Sequence, residues 1–381
     1  MTAPVIIIGT GLAGYQVARE FRKLNKDCPL TIITSDAGNF YPKPQISTAL
    51  TKDKTPEALI TASAKTMAEE LHATIMTDTM VSAINANDKT ITVKDQNLSY
   101  TKLVLAVGAD IIKAPLKGDA IEDVISINNI YHYQNFKQAL TNKKRVAILG
   151  AGLIGSEFAN DLSNVDLDVH VIAPAKTPLD LLLPEEIGKI LQNELEKNGV
   201  VFHLGSIANT VNKKGDKYTL ELSDNTTLEA DLILSAIGLV PHTDLAKTSG
   251  LKINRGVIVN EFLETSNSDI YAIGDCAEVL GHVLPYIAPI LTCAKSLAKT
   301  LNGEKTAVKY SAMPVVVKTP AHPIVVCPPP KDAAGKWQIE TVENSTKALF
   351  FNPENQLIGF VLTNKAVKNR ALLVKDLPAL F

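Results

Sequence analysis

The sequence predicts an α/β protein: two strand–helix–strand units of one design, followed by a small α+β domain at the carboxyl end. Three observations carry this reading. A wholly apolar run, Val5–Ile8, leads straight into Gly9-Thr10-Gly11-Leu12-Ala13-Gly14. The same grammar restarts at Val146–Leu149 and Gly150-Ala151-Gly152-Leu153-Ile154-Gly155. Near Met313 the character changes, with prolines at 314, 320, 323 and 328–330 ahead of three strand-forming runs.

Each element has its own reason. Val5–Ile8 is apolar on both faces, as a parallel strand covered by two layers must be. Ala13, Val17, Ala18, Phe21 and Leu24 follow helical spacing, and Leu30–Thr34 is the next strand. Strand formers then fill Ile75–Ile84, Thr90–Val93 and Leu103–Val107, with Asn85–Asp88 as a turn. In the second unit Ile154, Phe158, Ala159 and Leu162 line one helical face, and Val169–Ala173 is the following strand. Tyr218–Leu222 and Leu232–Ile237 continue it. Ile287, Leu291, Ala294, Ala298 and Leu301 mark a helix that Gly303 ends. Trp337–Val342, Ala348–Phe351 and Leu357–Thr363 are the strands of the last domain.

Composition narrows the function classes. At ~100–200 residues per domain, 381 residues predict two or three domains. Hydrophobic residues at 46% and charged residues at 20% exclude a disordered chain. A net charge of −2 offers no global basic field, so neither nucleic acid nor an anionic membrane is expected as a partner. No apolar stretch approaches the ~18 residues of a membrane span, so no membrane insertion is expected. Met1-Thr2-Ala3-Pro4 has no basic n-region, so a signal peptide is not expected either. Cys28, Cys276, Cys293 and Cys327 are scattered without metal-ligand spacing, which fits reduced thiols and a cytoplasmic protein. The seven histidines show no pairing at ligand spacing, so no metal is assigned, and His170 reads as structural.

Both glycine runs are GxGxxG fingerprints between a strand and a helix, the signature of a Rossmann-like dinucleotide-binding domain. The first glycine permits the tight turn, the second leaves room for a pyrophosphate, and the third lets helix and strand pack closely. The phosphates then lie at a helix N-terminus, where free N–H groups and the dipole favour negative charge. Asp36 follows the second strand slightly late for a ribose acid and reads equally as a turn residue. After the second fingerprint, Ile172-Ala173-Pro174-Ala175-Lys176 carries neither a ribose acid nor an arginine pair, so the fingerprint leaves NADH versus NADPH open.

Thr265–Asp275 ends in Tyr271-Ala272-Ile273-Gly274-Asp275, and at this point the sequence resembles the two-dinucleotide-domain flavoprotein reductases. Leu103–Ala109 and Leu232–Pro241 resemble the two crossover strands of that superfamily. The resemblance implies FAD in the first unit, with Asp275 on the ribityl chain, and NADH in the second, held by Gly150, Gly152 and Gly155. It implies domains of 1–112 with 243–310 for FAD, 113–242 for NAD and 311–381 at the carboxyl end. Redox cysteines of related subgroups are missing: residues 41–47 read Tyr-Pro-Lys-Pro-Gln-Ile-Ser, so electrons are expected to leave the flavin without a thiol relay. Cys276 reads as small packing.

More narrowly, Gly9–Tyr15, Tyr41–Ser47, Gly150–Leu162 and Val315–Pro330 resemble the rubredoxin–NAD reductases, and the resemblance covers essentially the whole chain. It implies FAD contacts from Gly9, Thr10, Gly11, Leu12, Ala13, Gly14, Thr34, Ser35, Lys43, Val81, Glu157, Asp275, Ile287 and Lys318. No side chain is expected to act as an acid–base catalyst. Lys43 is expected to steady the flavin ring, and Glu157, read as lying on the first turn of its helix, to reach Lys43 or the nicotinamide. The implied activity is electron transfer from NADH through FAD to rubredoxin, an acidic one-electron iron carrier. The rivals are reduction of a ferredoxin or flavorubredoxin, an NADH oxidase, and a protein that binds both nucleotides as ligands. Residues 309–381 carry nine Lys/Arg and five Asp/Glu, a local +4 against −6 elsewhere, which suits an acidic partner.

Overall fold

The computed structural model describes residues 3–380. In chain order the first unit contributes β1 (Val5–Ile8), α1 (Leu12–Leu24), β2 (Leu30–Ile33), β3 (Thr74–Met76) and β4 (Lys102–Leu105). The second contributes β5 (Ile125–Ser126), β6 (Arg145–Leu149), α2 (Leu153–Ser163), β7 (Asp168–Ala173), α3 (Glu185–Lys197), β8 (Val200–Leu204) and β9 (Leu232–Ser235). The chain then returns with β10 (Ile270–Ala272) and α4 (Ile287–Leu301). Last come β11 (Val315–Val317), β12 (Ile324–Cys327), β13 (Lys336–Val342), β14 (Ser345–Phe351) and β15 (Leu357–Thr363).

Two five-stranded sheets are wholly parallel. One runs β10-β4-β1-β2-β3 and the other β8-β7-β6-β9-β5. In each, the strand before the fingerprint is central and the strand order reverses beside it. Ligands of open α/β sheets lie at the carboxyl ends of strands at such a reversal. Every residue of β1 is buried, and so are Val146–Leu149 of β6, which explains their unbroken apolar runs. Antiparallel three-stranded layers, 81–99 and 208–230, accompany the two sheets. Between the units the chain crosses twice, and the crossings pair antiparallel, Ala109–Ile111 with Leu239–Pro241.

The carboxyl-terminal sheet has five antiparallel strands in the order β11-β12-β15-β14-β13, two more than the sequence predicts. Its prolines bracket β11 and β12 rather than interrupt them: 314 precedes β11, 320 and 323 lie between the two, and 328–330 follow. The run Ile75–Ile84 also divides. Asp78 adopts φ +48, and the amides of Asp78 and Thr79 turn back to the carbonyls of Asp36 and Thr34, so β3 ends at Met76 and a new strand starts at Val81. The helix expected from Ile287 to Leu301 is present, but its buried stripe is Ile290, Cys293, Ala294, Leu297 and Ala298. Ile287 is 45% exposed and Leu291 lies on the open side with it. Among the described residues no helix is long and apolar enough to cross a membrane, and all four cysteines are free.

Candidate dinucleotide and redox site

The first fingerprint lies between β1 and α1. Gly9 has φ +111, and a Cβ there would sit 2.2 Å from the Ala106 carbonyl oxygen of the neighbouring strand end. A Cβ on Gly14 would sit 1.9 Å from the carbonyl oxygen of Gly9, so helix and turn touch backbone to backbone. Gly11 differs: a Cβ there meets no protein atom within 4 Å. It is also the N-cap of α1, and no side chain caps the helix. The second fingerprint repeats all of this with Gly150, Gly152 and Gly155, and Gly152 caps α2 without a side chain. Two helix N-termini therefore present uncapped amides to open space, the environment a pyrophosphate needs. The residues fit dinucleotides at both places.

Side chains behind the first cradle form a hydrogen-bonded knot. Thr10 Oγ1 donates to Thr34 Oγ1 at 3.0 Å, and Thr34 Oγ1 donates to Asp36 Oδ1 at 2.8 Å. The Gly38 amide reaches the same Asp36 oxygen at 2.8 Å. Asp36 is thus tied into its turn through one carboxylate oxygen, while Ser35 beside it is exposed. Val81 is buried in the core around the first parallel sheet. On the other flank Gly274 takes φ +80 and approaches α1 so closely that its Cβ would lie 2.8 Å from that of Ala13. Only glycine fits there, and the contact brings Asp275 beside the fingerprint. Among the described residues the Asp275 carboxylate has no hydrogen-bond partner, and burial pushes it above the usual range, against the pull of Lys43. Lys43, at the start of the 3₁₀ helix Lys43–Thr48, is pushed down by burial while Asp275 and Asp110 draw it up. Asp275 and Lys43 are half-buried and feel each other's charge without forming an ion pair within 4 Å, so the lone pairs of Asp275 are left for a ligand's hydroxyls.

Glu157 is placed differently from the expectation. It stands on the second turn of α2, not the first, and its partners are Lys318 and Ser47 rather than Lys43. Ser47 Oγ donates to Glu157 Oε2 at 2.5 Å, the Lys318 amide donates to Oε1 at 3.0 Å, and the Lys318 ammonium pairs with Oε2. Lys318 Nζ also donates to Ser47 Oγ at 2.9 Å. The physical reason is depth: the Glu157 side chain is 3% exposed, and a carboxylate so deep costs several kcal/mol unless matched by a charge and further hydrogen bonds. Glu157 is therefore the acid of Lys318, whereas Lys43 forms no ion pair and feels the charges of Asp275 and Asp110 at longer range.

Sequence reasoning missed three residues here. Ser47 closes the Glu157–Lys318 triangle. Asn160 Oδ1 accepts from the Ala321 amide at 3.1 Å, and the two carboxylate oxygens of Asp161 accept from the Leu50 and Thr51 amides at 2.9 and 3.0 Å. Their i, i+3 and i+4 spacing from Glu157 is legible, but a polar flank on a helix normally faces water. His170 is also not alone. Its Nδ1 lies 3.0 Å from His203 Nε2, its Nε2 lies 3.2 Å from Asp168, and the two rings stack. Among the described residues no cluster could hold a metal ion.

Comparison with known proteins follows the same lines. Residues 3–331 match the family model described as pyridine nucleotide-disulphide oxidoreductase, and residues 307–377 match the rubredoxin binding C-terminal domain. The chain is 47% identical over 379 residues to a rubredoxin-NAD(+) reductase of Alcanivorax borkumensis, covering 99% of each chain. To a rubredoxin-NAD(+) reductase of Acinetobacter baylyi it is 44% identical over 386 residues, covering 99% of this chain and 98% of that one. The crystal structure of a ferredoxin reductase from Rhodopseudomonas palustris superposes with a TM-score of 0.90 at 24% identity, over 99% of this chain and 95% of that one, and so shares the fold. Two uncapped glycine cradles on two parallel sheets and a match across the full length place one conclusion beyond the fold: the chain belongs to the pyridine nucleotide-disulphide oxidoreductase family, in its rubredoxin-NAD(+) reductase branch.

Proposed function

We infer that the protein is a reductase that takes electrons from NADH through FAD and delivers them singly to rubredoxin. One observation carries this: behind two dinucleotide cradles, residues 307–377 match the rubredoxin binding C-terminal domain. FAD, when bound, accepts a hydride from NADH and releases electrons one at a time. The protein's own work is orientation, charge compensation and exclusion of water.

Gly9, Thr10, Gly11, Leu12, Ala13 and Gly14 hold the FAD pyrophosphate against the α1 amides, with Thr34 and Ser35 lining the ribose side. Asp275 accepts hydroxyl protons of the ribityl chain, consistent with its lack of protein partners. Lys43, Glu157 and Lys318 surround the redox end, and Val81 and Ile287 complete the FAD contacts. α4 starts at Ile287 with no side-chain cap, so its N-terminus offers partial positive charge to a reduced cofactor. Gly150, Gly152 and Gly155 hold NADH. The proposed division is 1–112 with 243–310 for FAD, 113–242 for NADH and 311–381 for the carrier. A cytoplasmic location belongs to the same reading and is supported by four unpaired cysteines.

The test is an anaerobic titration with NADH followed by addition of rubredoxin. The flavin absorbance should bleach with NADH and return on mixing with the carrier. A flavin that stays reduced overturns rubredoxin as acceptor. A kcat/KM favouring NADPH overturns the nicotinamide assignment, and Lys176→Ala is then the variant to measure.

A further inference from the structure

Helix α2 is buried on two flanks of opposite character. Phe158, Ala159 and Leu162 pack into the apolar core that the second parallel sheet shares with Ile46 and with Val315 and Ile324 of the carboxyl-terminal sheet. Glu157, Asn160 and Asp161 are equally buried, at 1–2% exposure, yet none of the contacts described for them above stays within the strand–helix–strand unit that carries α2. Asn160 and Glu157 accept two amides of one loop, Ala321 and Lys318, matching three residues along the helix with three along the loop. The loop is closed on itself, Thr319 Oγ1 donating to the His322 carbonyl and the His322 amide to the Thr319 carbonyl. Asp161 takes the Leu50 and Thr51 amides just past the 3₁₀ helix that carries Lys43 and Ser47.

We propose that Asn160 and Asp161 are positioning residues: Asn160 sets the loop that presents Lys318, and Asp161 sets the segment that presents Lys43 and Ser47. Both hang from the helix whose N-terminus is the NADH cradle. The register of the nicotinamide cradle, the two redox-end lysines and the carrier-binding domain is therefore fixed by one buried helix flank. This deepens the reading of the protein as an NADH-to-carrier reductase and rests on it only for the kinetic arm of the test.

Asn160→Leu removes the acceptor while keeping the branched shape of the side chain, and Asn160→Asp keeps it. Hydrogen exchange of the holoprotein, followed by peptide, reads the placement directly. In Asn160→Leu a peptide spanning 315–324 should exchange about fivefold faster, the scale of one net hydrogen bond, while peptides from β1 and β2 keep their rates. Asn160→Asp should restore protection. Unchanged exchange at 318–322, or faster exchange everywhere, overturns the proposal. Kinetically, the ratio of rubredoxin reduction to ferricyanide reduction should fall about fivefold in Asn160→Leu. A ratio that does not move also overturns it, whereas wild-type protein inert toward rubredoxin overturns the functional reading and leaves the exchange result to judge this one.

Discussion

A buried carboxylate such as Glu157 is worth to the fold mainly what its removal would strand. Glu157→Ala leaves the Lys318 ammonium and the Ser47 hydroxyl without their acceptor. Breaking a buried pair costs ~3–5 kcal/mol, but Lys318 stays about one-third exposed, so a loss of about 2 kcal/mol is expected in urea unfolding. Lys318→Met in the same background should recover part of that loss, as a double-mutant cycle would show. His322 predicts a pH effect. Burial holds its imidazole below the ordinary range, and its Nε2 meets no hydrogen-bond partner among the described residues. The unfolded chain takes up the proton near pH ~6.5 and the folded chain resists it, so stability is complete above about pH 7 and falls as pH drops through ~6.5. Thermal unfolding at about pH 7.5 and 5.5 should show this fall, and His322→Gln should reduce it. Neither residue's partners were legible: from sequence Glu157 reads as reaching Lys43 or the nicotinamide and His322 as one histidine among seven, and only tertiary burial decides their partners.

At the scale of the element, the first and third glycines of each fingerprint were legible, because a turn of positive φ at Gly9 and Gly150 and backbone contacts under 3 Å at all four leave no choice of residue, whereas nothing in the protein itself restricts Gly11 or Gly152. They also separate two kinds of failure. Gly9→Ala should destabilise the fold itself, since its Cβ collides with the Ala106 carbonyl. A Cβ at Gly11 meets no protein atom within 4 Å, so Gly11→Val should still fold, with a melting temperature in the apo form far nearer wild type than that of Gly9→Ala, and purify colourless. Visible absorbance and circular dichroism distinguish them; a yellow Gly11→Val protein would show that the open space beside α1 is not where the pyrophosphate lies. α2 was only half legible. Its apolar flank follows helical spacing, but its polar flank has the same signature as a solvated face. Likewise the prolines between Met313 and Pro330 concealed β11 and β12, because strands of three and four residues are too short to show alternation.

Over the whole molecule, the near-neutral net charge hides a +4 carboxyl-terminal segment, 309–381, on a −6 remainder. Lys331, Lys336, Lys368, Arg370 and Lys375 are exposed, whereas Lys365 is paired with Glu343. Steering of an acidic carrier by such charges is screened over ~10 Å at 0.1 M salt. Rubredoxin reduction should therefore slow as salt rises while the NADH half-reaction changes less, and Lys336→Glu should reproduce part of the slowing; a salt-independent carrier rate removes the steering. The strand order has a consequence of another kind, for synthesis on the ribosome. β4 pairs with β10 in register, Leu103 opposite Ile270, so the first sheet waits for a strand made some 165 residues later. The second sheet draws all its strands from one continuous stretch, 125–235, and can close before β10 leaves the ribosome. Contacts so distant in sequence form late and slowly. A nascent chain arrested near residue 275, with β10 still in the exit tunnel, should accordingly protect β6 and β7 from protease while the edge of β4 is still open, which makes the second parallel sheet the template on which the rest of the molecule is finished.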